Sequence, residues 1–312
     1  MEPTRIVFGR RLKELATSYD FIVCNADTKA CDLQDFGDLY PRRTISYGIA
    51  EQNLLAGAAG VASYGRKAVV STYANFIAMR ALEQVRTYVC QPNYDVLMLA
   101  SHGGLLTGIE GVSHTALEDI SILRALPNIS ILEPSDSVCA HAMVEEVLKH
   151  HGPTYVRMHY LPVPDVNDPS TYSFTFGKAR VFADYGSDVL LCVTGTLLGR
   201  LAKAAEVLRN EGIYATVVEF PTIKPLDEEA LIELAMAAGA VVTVEDHSVL
   251  GGFGSSVAEA LSAKCPMPVV RLGARDRFSE SSDPDTLYRI NGLEVEDMVQ
   301  AAKTSIALKA GH

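Results

Sequence analysis

The chain has 312 residues, 48% of them hydrophobic, and 38 acidic against 27 basic side chains give it a formal charge of −11. The length suggests about two domains, and the acidic balance argues against nucleic acid or an anionic membrane as the main partner, since both demand surplus positive charge. No apolar run is long enough to span a bilayer, the first residues (MEPTRIVFGRRLKELA) are charged where a signal peptide needs an apolar core, and six scattered cysteines show no CxxC spacing, so a cytoplasmic protein with reduced thiols is expected.

In chain order, residues 4–18 have the apolar spacing of a helix, and FIVCNAD (21–27) reads as a short buried strand. RTISYGI is a second strand, AEQNLLAGAAGVASYG a helix of small residues, KAVVSTYA a third strand and FIAMRALEQVRTYVC a helix. DVLMLAS is a fourth strand, followed by a glycine-rich loop from His102 to Gly111. SHTALEDISILRALP then reads as a helix, ISILEPSD as a strand, VCAHAMVEEVLKHH as a helix and PTYVRM as a sixth strand. The segment 161–174, with its prolines, Asp, Asn and hydroxyls, breaks the alternation like a linker. Four further strands (SDVLLCVTG, IYATVVEF, AVVTVED, PVVRLGA) alternate with three helices, and residues 290–310 form a closing helix. The expectation is an α/β protein of two domains, each a mostly parallel sheet with helices on both faces. The boundaries are 1–165, a linker at 166–177, and 178–312.

Glu51 stands in the first turn of a helix directly after a strand, where a carboxylate is favoured by the helix dipole whether or not it has a further task. Ligands in open α/β sheets sit at the carboxyl ends of the strands, which is where the next candidates fall. Tyr73 and Phe76 follow the third strand and could stack on a flat ring, although ordinary packing would also explain them. The loop after the fourth strand holds His102, Glu110 and His114 among four glycines, bringing proton-exchanging groups and accessible backbone to one place. No Walker loop, HExxH or GxSxG is present, and Gly251–Gly254 is a weak dinucleotide signal. Glu245, Asp246 and His247 are adjacent, so on an extended segment they point to alternate sides and make a poor three-ligand cluster.

Taken together, RTISYGIAEQNLLAGAAGVA, STYANF, SHGGLLTGIEGVSHTALEDISILRALPNISILEPSD and TIKPLDEEAL with VVTVEDHSVLGGFGSSVAEAL resemble the C-terminal half of transketolase. The segments come in the family's order and cover nearly the whole chain. Residues 1–165 resemble the pyrimidine-binding domain of thiamine diphosphate enzymes, and 178–312 the transketolase C-terminal domain. The family's diphosphate-binding domain, with its GDG…N motif, has no counterpart here. The resemblance therefore implies a C-terminal subunit of a split transketolase. It would be active only with a separate N-terminal subunit that carries the diphosphate and a Mg2+ or Ca2+ ion, as an α2β2 heterotetramer. Such an enzyme moves a two-carbon ketol unit between sugar phosphates.

The resemblance also implies roles. Glu51 would hold a pyrimidine ring nitrogen of thiamine diphosphate, with Tyr73 and Phe76 packed on the ring and Asp27 and Thr28 lining the cofactor and the subunit contact. His102, Glu110 and His114 would bind substrate hydroxyls and carbonyl, with the two histidines assisting proton transfer. Arg5 and Arg157 would grip a distal phosphate, and Cys31 stands where a phosphate-binding Ser is usual. Glu110 replaces an Asp and, with Cys31, lies in the substrate channel, which leaves the substrate open between pentose phosphates and branched, deoxy or sulfonated sugars; Met79 replaces a Tyr near the cofactor. The C-terminal domain is expected to serve subunit packing and to supply no catalytic residue. Two rivals stand beside this reading: the β subunit of a 2-oxoacid dehydrogenase, and a non-catalytic assembly subunit.

Overall fold

A computed structural model describes residues 1–310. The first half contains α1 (Thr4–Leu15), β1 (Phe21–Asn25), α2 (Phe36–Leu39), β2 (Thr44–Ser46), α3 (Glu51–Ser63) and β3 (Lys67–Tyr73). It continues with α4 (Leu82–Gln84), β4 (Val96–Ser101), α5 (Asp119–Arg124), β5 (Ser130–Leu132), α6 (Ser137–Lys149) and β6 (Thr154–Arg157). The second half runs β7 (Arg180–Asp184), β8 (Val189–Val193), α7 (Leu198–Asn210), β9 (Ala215–Glu219), β10 (Thr222–Lys224) and α8 (Glu228–Ala238). It ends with β11 (Val241–Ser248), α9 (Phe253–Lys264), β12 (Val269–Ala274), α10 (Pro284–Asn291) and α11 (Val295–Ala310).

The strands form a seven-stranded sheet, β10-β5-β6-β4-β3-β1-β2, and a five-stranded one, β12-β11-β8-β9-β7. All neighbours are parallel except β10 on β5 and β7 on β9. Continuous apolar strands such as VLMLA in β4 are buried throughout because helices cover both faces. On one face of the first sheet α1 and α6 bury Phe8, Leu12, Met143 and Val147. On the other face α3 contributes Leu54, Leu55, Ala58 and Ala59, whose small side chains bring the helix close to β1 and β3. That cluster runs on without a break to Leu231, Val257 and Leu261 of α8 and α9, so one apolar core spans both halves.

Register fixes which strand ends meet. Asn25 pairs with Ser71 and Tyr73 with Ser101, so the segments after β1, β3 and β4 leave the sheet side by side. Residues 76–90, which read as one helix, wind instead as two π-helical stretches, Phe76–Arg80 and Val85–Cys90, around the single turn of α4. The wider turns rotate side chains relative to an α-helix, a device common at functional sites. The helix expected from Ser113 starts only at Asp119, because Asn75 Nδ2 instead donates to the carbonyl oxygens of Ser113 and Thr115 and holds that stretch as a loop. β7 and β10 are short edge strands and α10 spans only eight residues, and none of the three is among the elements expected from the sequence.

Candidate active site

Glu51 opens α3 and is fully buried. Its Oε2 accepts from Arg80 at 2.7 Å, whereas Oε1 is buried with no partner. The Arg80 guanidinium lies 3.9 Å over the Phe76 ring and remains 47% exposed. A buried carboxylate oxygen left unpaired costs about 1–3 kcal/mol, so such an atom marks a place for an absent donor. Nothing in the sequence singled out Arg80, although its spacing of four from Phe76 was the available signal.

Tyr73, Phe76, His102 and His114 close into one aromatic cluster. Tyr73 sits 5.4 Å from Phe76 and 4.2 Å from the His102 ring, and His114 packs edge-on against Phe76 at 5.6 Å. The far face of His102 stacks on Tyr160 at 4.5 Å, a residue missed in the sequence although it follows β6 directly. His102 Nδ1 meets the Ser101 hydroxyl at 2.8 Å, and Nε2 lies 3.5 Å from Glu110 Oε2. Burial, with the Arg5 charge and His114 adding to it, pushes the His102 imidazolium down to about 3. His102 is therefore a neutral ring near physiological pH, able to donate or accept a hydrogen bond but carrying no charge.

Arg5 borders this cluster, donating from Nε to the carbonyl of Tyr160 and from Nη1 to those of Lys29 and Ala30. Its guanidinium covers the Tyr160 ring at 4.8 Å, and Nη2 has no partner among the described residues. Asp27, at φ 55°, is exposed at the end of β1, and Thr28 Oγ1 is buried without a partner. Met79 lies half exposed one residue before Arg80.

Two expected substrate contacts, Arg157 and Cys31, lie inside the fold. Arg157 is fully buried and pairs with groups of the fold. Nε meets the Asp119 carboxylate at 2.9 Å, Nη1 pairs with Glu133, and Nη2 donates to the carbonyls of Ala116 (2.7 Å) and Asp246 (3.0 Å). Burial pushes the Glu133 carboxyl up, but Arg157 and His159 overcome it and hold it at about 2. The Nε and Nη2 hydrogens of Arg157 are thus engaged within the fold. Cys31 is likewise fully buried, its Sγ facing the Leu99 carbonyl at 3.9 Å and its thiol pushed up to about 12 by burial. It packs in the apolar layer under α1.

The residues present suit a thiamine ring system: an orphan carboxylate oxygen at Glu51, an orphan hydroxyl at Thr28, and the aromatic cluster. Among the described residues no group of three or more His, Cys, Asp or Glu could hold a metal ion. Glu245 and His247 do share one side of β11, as alternation demands, with Asp246 on the other.

Residues 3–164 match the family model of the transketolase pyrimidine binding domain, and residues 177–298 that of the transketolase C-terminal domain. The chain belongs to the transketolase family. It is 38% identical over 293 residues to the 6-deoxy-6-sulfo-D-fructose transketolase subunit SqwH of Clostridium sp. (strain MSTE9), covering 93% of this chain and 90% of that one. One subunit of the apulose-4-phosphate transketolase of Phocaeicola vulgatus is 33% identical, with 95% of each chain covered. A solved split-gene transketolase, described as an inactive beta4 tetramer, superposes with TM-score 0.91 at 39% identity over 99% of this chain and all of that one. In extent and domain content, then, this member of the family corresponds to the C-terminal subunit of a split transketolase.

Proposed function

We propose that the chain is the pyrimidine-binding subunit of a thiamine diphosphate-dependent transketolase, moving a two-carbon ketol unit between sugars in complex with a diphosphate-binding subunit. The observation that carries the reading is Glu51 Oε1, buried and unpaired, in a carboxylate whose other oxygen is linked through Arg80 to the Phe76 ring. Bound thiamine diphosphate supplies a nucleophilic carbon for attack on a ketose carbonyl. Glu51 holds a proton between Oε1 and the pyrimidine ring nitrogen, while Tyr73 and Phe76 exclude water from the ring faces. Asp27 and Thr28 border the cofactor and the subunit contact. Neutral His102 hydrogen-bonds the substrate oxygen, with Glu110 behind its Nε2, and His114 exchanges the proton of a neighbouring hydroxyl.

Arg5 is the cation available for an anionic tail, using the guanidinium hydrogens that the chain leaves free. The relatives act, by their names, on a sulfonated and on a phosphorylated sugar. Both classes belong in the substrate screen. The partner subunit binds the Mg2+ or Ca2+, the assembly is α2β2, and the complex works in the cytoplasm. These assignments rest on the family and on the domain content of this chain. A 2-oxoacid dehydrogenase β subunit is disfavoured because the two relatives of matching extent described above are transketolase subunits.

The test is reconstitution with the candidate partner, thiamine diphosphate and Mg2+, followed by ketol transfer from ketose donors. Transfer that disappears on omitting either subunit, and in Glu51→Ala, is expected. Full activity of this chain alone, undiminished transfer in Glu51→Ala, or decarboxylation of 2-oxoacids without ketol transfer would sink the reading.

A further inference from the structure

Asp246 belongs to β11 in the second half of the chain, yet its carboxylate serves a loop of the first half. Oδ1 accepts the Leu105 N–H at 2.8 Å, and Oδ2 accepts the Tyr288 hydroxyl of α10 at 2.9 Å. Gly104, at φ 75°, passes so close that any Cβ there would collide with this carboxylate. The Asp246 carbonyl accepts from Arg157 Nη2, and the same nitrogen donates to the Ala116 carbonyl at the other end of the loop. Between these anchors the loop closes on itself: Gly104 N–H donates to Ala116 O (2.9 Å) and Thr107 Oγ1 to His102 O (3.0 Å). The segment held in this way is the one that carries His102, Glu110 and His114.

We infer that Asp246 is a positioning residue for the reaction, setting the segment 102–115 so that both histidines face the substrate, and that the second domain is thereby part of the catalytic apparatus. Asp246 touches no ligand and acts through Leu105. A buried carboxylate is a poor choice for stability alone, because apolar side chains of similar size would pack as well without the desolvation cost. What the carboxylate adds is direction, since one oxygen fixes a backbone N–H of the loop and the other is held by Tyr288. The catalytic half of the inference rests on the proposed function, whereas the loop-fixing half does not.

The experiment compares wild type, Asp246→Ala, Asp246→Asn and Tyr288→Phe. Amide hydrogen exchange on the chain alone reads the loop, and kinetics with the reconstituted complex reads the chemistry. In Asp246→Ala, exchange across 103–115 should quicken about tenfold while β3 and β4 keep wild-type protection. Sugar KM should rise or kcat fall on the order of 10²-fold, with thiamine diphosphate affinity unchanged, because the loop geometry and not the cofactor pocket is disturbed. Asp246→Asn, whose amide oxygen can still accept from Leu105, should restore most of both. Tyr288→Phe frees one carboxylate oxygen and should give a smaller effect of the same kind if Asp246→Ala does not fold. Loop exchange unchanged in these variants overturns the inference. So does uniform loosening of both domains with cofactor and sugar affinities falling together. A wild-type complex that transfers no ketol unit would instead defeat the proposed function, and the exchange comparison would still decide whether Asp246 fixes the loop.

Discussion

Two contacts between a buried carboxylate and an arginine lie in the first domain, and they differ in how far the arginine is buried. Around Arg157 the guanidinium meets Asp119, Glu133 and two backbone carbonyls, with Tyr155 completing Asp119 at 2.7 Å. Around Glu51 a half-exposed Arg80 takes one oxygen and the other has no donor. The first is buried on both sides of the ion pair, leaves Glu133 Oε2 without a partner and welds loop, strand and second domain together; the second leaves Glu51 Oε1 without one and pairs it with a guanidinium that reaches the surface. Charged residues that form such contacts look alike in a sequence, and what separates these two is whether the arginine is sealed in the fold or stands at the surface.

The contrast can be broken most directly at Arg157. Arg157→Ala leaves Asp119 and Glu133 buried without their counter-charge, and should cost about 3–5 kcal/mol in denaturant unfolding. A variant of unchanged stability with only a weakened sugar-phosphate KM would return Arg157 to the substrate site. Glu51→Gln probes the second contact. It should keep the fold by thermal melting and lower kcat by about 10²-fold or more; a large loss of stability with activity retained would make Glu51 another scaffold group.

The pH response sharpens the comparison on the histidine side. His102 and His247 are pushed by burial from 6.5 to about 3 and about 4. Between those values and 6.5 the unfolded chain binds protons that the folded chain refuses, so stability should fall as the pH drops through this window and be fully present above 6.5. Urea unfolding as a function of pH measures this, and the His102 ring should show no NMR titration across neutral pH. The smallest effect is expected for Cys31→Ala, about 1 kcal/mol of stability from a trimmed buried thiol and no change in sugar KM. A shift in KM at constant stability would restore Cys31 as a substrate contact.

The alternation of strands and helices was legible because fully buried parallel strands are unbroken apolar runs, and VLMLA and KAVVS could be little else. The loop with His102, Glu110 and His114 was legible for a related reason, since polar groups among glycines after such a strand have to lie at its carboxyl edge. β7 and β10 were not. They are short edge strands, and TIK or RVFAD has no pattern that separates a strand from a loop until a partner edge is present. The π-helical winding of 76–90 escaped because hydrophobic spacing there fits an ordinary helix. The burial of Arg157 was not legible because its partners Asp119, Glu133 and Asp246 come from three other elements. The same dependence hid the role of Asp246.

The placement of β10 at the end of the first sheet bears on how the molecule could be taken apart. Its strand hydrogen bonds to β5 cross what the sequence treats as a boundary. A protease that cut the irregular stretch 161–179 would therefore nick the backbone without parting the pieces. A shortened gene ending near residue 165 would bare the β5 edge as a template for self-association, so its product should come out of expression as aggregate and not as a free half-enzyme.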